Sequence, residues 1–208
     1  MMFQGSLMGD ADSVDLGPLG SAVRRTELSH GAWVDLCPGW VSGADPLFAR
    51  LVAGVPWHAE RRTMYERVVD VPRLTKFYEP GEPLPDDELV VMREALSAHY
   101  RPELGEPFVT AGMCLYRDGS DSVAWHGDTI GRGRTQDTMV AIVSLGSPRA
   151  LLLRPRGGGG RALRFEIGHG DLLVMGGSCQ RTWEHAVPKS VRAAGPRISV
   201  QFRPHDVR

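Results

Sequence analysis

The sequence predicts a mainly β domain of the α+β class, an antiparallel sandwich or barrel with helices packed on its outside. Three observations carry this. From Phe108 onward, eight short β-type runs follow one another: "FVTAGMCLY", "SVAWH", "TMVAIVSL", "RALLLRP", "ALRFEI", "DLLVM", "TWEHAV" and "RISVQFR". Glycine and proline clusters separate them, as turns separate the strands of an all-β core. Helical periodicity is confined to two segments of the first half.

In chain order, residues 1–25 are rich in glycine and aspartate and are expected to form a flexible N-terminal segment. Residues 26–208 then form one domain, with helices and a lid in 26–105 and the β core in 106–208. "SGADPLFARLVAG" predicts the first helix, with Ser42 or Asp45 as N-cap, Pro46 in the first turn and Gly54 as the stop. "DDELVVMREALSAHY" predicts the second, starting at Asp86 or Asp87, with Leu89, Met92 and Leu96 on one stripe. In "RISVQFR", Ile198, Val200 and Phe202 share one strand face and Arg197, Ser199, Gln201 and Arg203 the other. The apolar face must meet a core, and the polar face meets either bulk water or a polar cavity.

Composition narrows the function classes. A net charge of −1 over 208 residues argues against wholesale coating of a polyanion, although arginines cluster locally at 132, 134, 149, 154, 156, 161 and 164. Three widely spaced cysteines form neither a disulfide framework nor a zinc knuckle. No signal-peptide pattern and no membrane-spanning run are present, so a soluble, cytoplasmic, monomeric protein is expected, with no membrane partner.

The chemistry gathers at "SVAWHGDTIG", where His126 and Asp128 end a β-type run and point to one side. Alone, such a pair is more often a core histidine beside a turn-capping aspartate than a metal site. His185, in "TWEHAVP", offers a third ligand. Two histidines and a carboxylate suit non-haem Fe(II), although zinc hydrolases use the same donors. An Fe(II) centre with an open face can take 2-oxoglutarate, whose far carboxylate then needs a buried cation. Arginine's planar fork suits it, and Arg197 and Arg203, six residues apart, lie on one strand face.

Taken together, these motifs resemble the AlkB family of Fe(II)- and 2-oxoglutarate-dependent dioxygenases, over roughly residues 30–205. "LYRDGSDSVAWHGD" is similar to the family's tyrosine strand, turn and HxD strand, and "VSLGSPRALLLRP" to its SLG strand and the one after. "GHGDLLVMGGSCQRTWEHAVP" is similar to its GD–hydrophobic–GG…H segment, and "RISVQFR" to its arginine strand. The resemblance implies a double-stranded β-helix, or jelly roll, with a substrate lid built from the N-terminal elements. It implies Fe(II) on His126, Asp128 and His185, with O2 as oxidant. It implies 2-oxoglutarate on Tyr116 and Arg197, with Arg203 completing that pocket or orienting the iron's surroundings. The implied activity is oxidative dealkylation of alkylated bases in DNA or RNA, releasing formaldehyde, succinate and CO2.

Two positions depart from the family pattern. Cys114 stands where the family usually carries an asparagine that helps hold the cosubstrate, and a thiol is a poorer hydrogen-bond partner. Ile130 stands where repair members carry an acid two residues after the metal-binding aspartate, so no lesion preference carries over.

For substrate contacts the sequence offers Tyr65, Phe77 and Tyr78 as aromatic faces for a flipped base, and Trp57 more as a core residue. Arg156 and Arg161, flanking four consecutive glycines, are expected to meet phosphates from a slack loop. Trp183 shares strand parity with His185. Competing possibilities are a 2-oxoglutarate-dependent hydroxylase or demethylase of a protein or small molecule, and a non-catalytic damage-binding protein.

Overall fold

The structure is a computed structural model and describes residues 14–64, 67–158, 160–192 and 195–208, with the backbone alone within 60–70. The N-terminal part supplies β1 (Asp15–Leu16), β2 (Arg24–Glu27), β3 (Ala32–Cys37), β4 (Val41–Ser42), helix α1 (Asp45–Gly54), β5 (His58–Met64), β6 (Arg67–Tyr78) and helix α2 (Asp87–Leu104). The β core follows as β7 (Thr110–Tyr116), β8 (Val123–His126), β9 (Val140–Gly146), β10 (Arg149–Pro155), β11 (Leu163–Ile167) and β12 (Asp171–Gly177). A single-turn helix α3 (Cys179–Thr182), β13 (Trp183–Val187) and β14 (Arg197–Arg203) complete it.

Two antiparallel sheets face each other. The larger has the order β2-β3-β12-β9-β14-β7-β6-β5 and the smaller β11-β10-β13-β8, with β1 and β4 as a separate pair. From β7 onward the chain crosses repeatedly between the two sheets, which makes the double-stranded β-helix. All eight β-type runs of the second half became strands.

The two faces of β14 explain the layering. Ile198, Val200 and Phe202 are fully buried in a core shared with Leu47 and Leu51 of α1 and Leu89, Met92 and Leu96 of α2. The helices therefore cover the outer face of the large sheet, and each such apolar side chain contributes about 1.5–3 kcal/mol. On the opposite face Arg197, Ser199 and Arg203 are also buried, so this side faces the polar interior between the sheets and not bulk water. A second core, with Leu151, Leu153, Ile167 and Trp183, fills the rest of that space.

Several expectations need correction. Residues 15–16 and 24–25 lie in strands, although 1–25 was expected to be loose. The segment 26–105 is not chiefly helical: β3 pairs with β12 inside the large sheet, and β5 and β6 extend it as a hairpin. Asp86 caps α2 by accepting from the Glu88 amide, as expected, but α1 starts after Ala44 with no side-chain cap. Pro46 in that first turn has no N–H to satisfy, so a cap has less to do there.

Candidate active site

Four elements bring three side chains to one end of the space between the sheets. β8 carries His126, the loop after it carries Asp128, and β13 carries His185. His185 is paired across the sheet with His126, and their ring centroids lie 4.2 Å apart. One ligand atom from each of the three residues lies within 4.8 Å of the others. His126 Nδ1 is 2.8 Å from the Ala124 carbonyl. A carbonyl can only accept, so Nδ1 carries the proton and Nε2 keeps its lone pair for a metal. Nε2 lies 3.8 Å from Asp128 Oδ1. The other oxygen, Oδ2, accepts from Arg203 Nε at 2.7 Å, so β14, the fourth element, fixes the carboxylate.

The protonation states suit a metal. Burial alone would raise the Asp128 carboxyl, but Arg203, His185 and His126 outweigh it and hold the pKa down at about 2. Burial, reinforced by His126, lowers His185 to about 3. At neutral pH the cluster is an ionised carboxylate with a neutral, buried imidazole, the forms that bind a cation.

The glycine between the ligands is required sterically. A Cβ on Gly127 would lie 2.3 Å from the Gln180 carbonyl oxygen and 2.7 Å from Arg156 Nη2. α3 thus presses on the ligand loop, and Gln180 Oε1 also accepts from the Asp128 amide at 3.0 Å. The sequence reading missed Gln180, because a glutamine in "SCQRTW" has no pattern that marks it.

Between the sheets Arg197 is buried beside Tyr116. Arg197 is 2% exposed. Its Nε donates to Ser144 Oγ at 2.9 Å, and its Nη1 has no partner among the described residues. Its Cζ lies 5.3 Å from the centre of the Tyr116 ring, its neighbour across the β14–β7 ladder. Burial lowers the pKa of Arg197 and pushes the Tyr116 phenol up to about 12. Cys114 pairs with Ser199 and has the strand parity of Tyr116, so it borders the same space. An unpaired donor on a buried guanidinium is costly without an anion, and a ligand carboxylate fits there. The donor set at His126, Asp128 and His185 fits Fe(II) equally well.

The substrate residues fare differently. Tyr65 lies outside the described residues. Tyr78 is 4% exposed and belongs to the core under the helices, so it does not present a face to a substrate. Phe77, one residue earlier, has the opposite parity: its ring lies near Gly112, beside Arg203 and Gln201, with the Arg208 guanidinium 4.4 Å above it. Arg156 is not a slack loop residue, since its Nε and Nη2 donate to the carbonyls of Arg181 and Gln180 and brace α3. Arg161 is exposed. Arg203 contacts the carboxylate ligand Asp128, which fits the second of its two expected roles, orienting the surroundings of the metal. Trp183 is buried in the inner core, donating to the Ser29 carbonyl, and Trp57 packs against the outer one. Asp137 is ion-paired with Arg181 at the surface.

Comparison with known proteins bears on this geometry. Residues 54–203 match the model of the 2OG-Fe(II) oxygenase superfamily. The chain is 32% identical over 194 residues to alpha-ketoglutarate-dependent dioxygenase alkB homolog 3 of Bos taurus, covering 82% of this chain and 65% of that protein. It therefore spans a little under two thirds of that relative's length. It is 33% identical over 140 residues to the DNA oxidative demethylase ALKBH2 of Arabidopsis thaliana, covering 56% of this chain and 44% of that protein. Among solved structures, a 2OG-Fe(II) oxygenase family oxidoreductase from Burkholderia pseudomallei superposes with a TM-score of 0.57 at 11% identity. It covers 82% of this chain and 84% of that one, a likeness of fold.

Proposed function

Because the chain belongs to the 2OG-Fe(II) oxygenase superfamily, and within it to the AlkB family, we propose that it is an Fe(II)- and 2-oxoglutarate-dependent dioxygenase that dealkylates alkylated bases in DNA or RNA. The observation that carries this is the buried guanidinium of Arg197, unneutralised by any described carboxylate and on the same face of β14 as Arg203, which holds the carboxylate of a two-histidine, one-carboxylate cluster. A hydrolytic zinc site has no need of such a cation. A dicarboxylate cosubstrate does.

In this reading His126, Asp128 and His185 hold Fe(II), while Arg203 and Gln180 orient Asp128 from its Oδ2 and its amide. Arg197 and Tyr116 bind the cosubstrate, with Cys114 beside them. Bound Fe(II) and 2-oxoglutarate supply the means by which O2 oxidises the alkyl carbon, after which a hydroxylated methyl group leaves as formaldehyde beside succinate and CO2. The inner apolar core packs between the sheets, and the Ala124 carbonyl holds His126 Nδ1 and so orients the ring with Nε2 toward Asp128.

One observation favours a second substrate class. Of the seven clustered arginines, Arg132, Arg154 and Arg164 are ion-paired, and Arg149 and Arg156 are held by backbone carbonyls. Little of that charge is left unengaged for a phosphate backbone, as a protein or small-molecule substrate would allow. A panel of methylated single- and double-stranded oligonucleotides, assayed for formaldehyde and succinate, decides. Turnover lost in His126→Ala and Asp128→Ala supports the dealkylase. Succinate formation that no oligonucleotide stimulates supports the second class, and no succinate at all sinks both.

A further inference from the structure

Arg149 opens β10 and is 2% exposed. Its Nη1 donates to the Asp118 carbonyl at 3.0 Å, and its Nη2 to the carbonyls of Asp121 and Pro188 at 2.7 and 2.8 Å. Its Nε has no partner among the described residues. These partners are dipoles, not charges. The nearby carboxylates are engaged elsewhere: Asp121 takes both Nε and Nη2 of Arg117, and Asp118 accepts from the Ser120 amide and hydroxyl. Asp121 and Asp118 favour the charge on Arg149 from a distance, but burial outweighs them and neither carboxylate forms an ion pair with it among the described residues.

The position of that charge matters. Arg149 Cζ lies 5.3 Å from the centre of the Tyr116 ring, the same distance at which Arg197 Cζ lies from it. One phenol ring thus has two buried guanidiniums against it, and neither has a carboxylate partner among the described residues. Each cation disfavours the charge on the other, and burial lowers the pKa of both. A protein interior carries such a pair at a cost unless an anion joins it.

We infer that Arg149 is a positioning residue for the cosubstrate: it holds Tyr116 toward Arg197 and adds a second positive charge that selects a ligand bearing a distal carboxylate. This rests on the dioxygenase reading above, since it takes 2-oxoglutarate as the ligand. It predicts a role in choosing between ligands. A purely structural tie, joining the β7–β8 loop to the exit of β13, would affect stability and leave that choice alone.

The test is calorimetric binding of two probes to the full chain loaded with Mn(II): 2-oxoglutarate, and 2-oxopentanoate, which has the same carbon chain without the far carboxylate. The expected result is that Arg149→Gln lowers the preference for 2-oxoglutarate about tenfold. That is the scale of one unit charge roughly 10 Å from a carboxylate at an effective dielectric constant of about 20. Arg149→Lys, which keeps the charge and loses the fork, should hold the preference within about threefold of wild type. In turnover the Gln variant should raise the KM for 2-oxoglutarate with kcat little changed. A Gln variant that melts earlier yet keeps the wild-type preference overturns the inference. If the Gln variant does not fold, the Lys variant decides, and loss of its preference is the overturning result. A wild-type protein that does not distinguish the two probes refutes the dioxygenase reading instead, so the two failures are separable.

Discussion

Replacing Arg197 by methionine should move ligand-free stability and cosubstrate affinity in opposite directions. In the ligand-free protein Arg197 is a buried cation with hydrogen bonds to Ser144 Oγ and to the Tyr116 side chain, and an Nη1 without a partner among the described residues. Methionine fills a similar length without charge. The change gives up these two hydrogen bonds, about 1 kcal/mol each, and relieves the desolvation of an unpaired charge, which is worth several kcal/mol per ion. Arg197→Met is therefore expected to leave ligand-free stability unchanged or raise it by about 1–3 kcal/mol. Binding goes the other way. Removing the cation leaves a buried ligand carboxylate unpaired, at about 3–5 kcal/mol, which is a loss of roughly two to three and a half decades in affinity at about 1.4 kcal/mol per decade. Urea unfolding of the metal-free protein measures the first effect, and titration of 2-oxoglutarate into the Mn(II)-loaded protein measures the second. A variant several kcal/mol less stable with unchanged affinity would falsify the argument, because Arg197 would then be a structural residue already compensated within the chain.

Three further outcomes follow from the geometry. Gly127→Ala forces a Cβ to 2.3 Å from a backbone oxygen of α3, so overpacking should cost about 1–3 kcal/mol. It should also weaken Mn(II) binding seen by calorimetry, and unchanged metal affinity would show that α3 does not brace the ligand loop. Tyr78→Phe removes a buried hydroxyl with no described partner, so stability should stay level or rise by up to about 1 kcal/mol and dealkylation should be unaffected; a large loss of turnover would return Tyr78 to the substrate site. The third outcome concerns pH. His185 titrates at about 3 in the folded protein against about 6.5 when unfolded, so in that window the unfolded chain binds the extra proton. Metal-free stability should therefore fall as pH drops from about 6.5 toward 3, by at most about 1.4 kcal/mol per pH unit from this group. Urea denaturation of wild type and His185→Asn at several pH values checks this, and equal slopes refute it.

The strands of the second half were legible because each is a short apolar run punctuated by glycine, proline or other turn residues, and the metal cluster because two ligands sit two apart at a strand end. The N-terminal strands were not. β3, "AWVDLC", is buried along nearly its whole length in the large sheet, so it lacks the alternation that marks a half-exposed strand. The pairing of β3 with β12 joins residues far apart in sequence, and no local pattern encodes it.

The substrate residues failed for a more instructive reason. In β6, Tyr78 and Phe77 are adjacent, and composition cannot tell which one faces inward. Register decides it: Phe77 pairs with Gly112, whose missing Cβ makes room for Arg203, while Tyr78 pairs with Ala111 on the helix side. A one-residue shift exchanges cavity and core along the whole strand. The same logic separates Arg197 and Arg203 from the loop arginines. Charge counted along a sequence says nothing about pairing, and Arg156, flanking the glycine run, is anchored to α3 by two carbonyls. The two arginines of β14 were identifiable because a regular alternation with apolar neighbours forces a polar face to exist. Once the opposite sheet covers that face, each guanidinium on it must find an anion. Arg203 has found Asp128. Arg197 has none among the described residues, and that difference separates a residue that orients the carboxylate of the cluster from the one proposed to receive the cosubstrate.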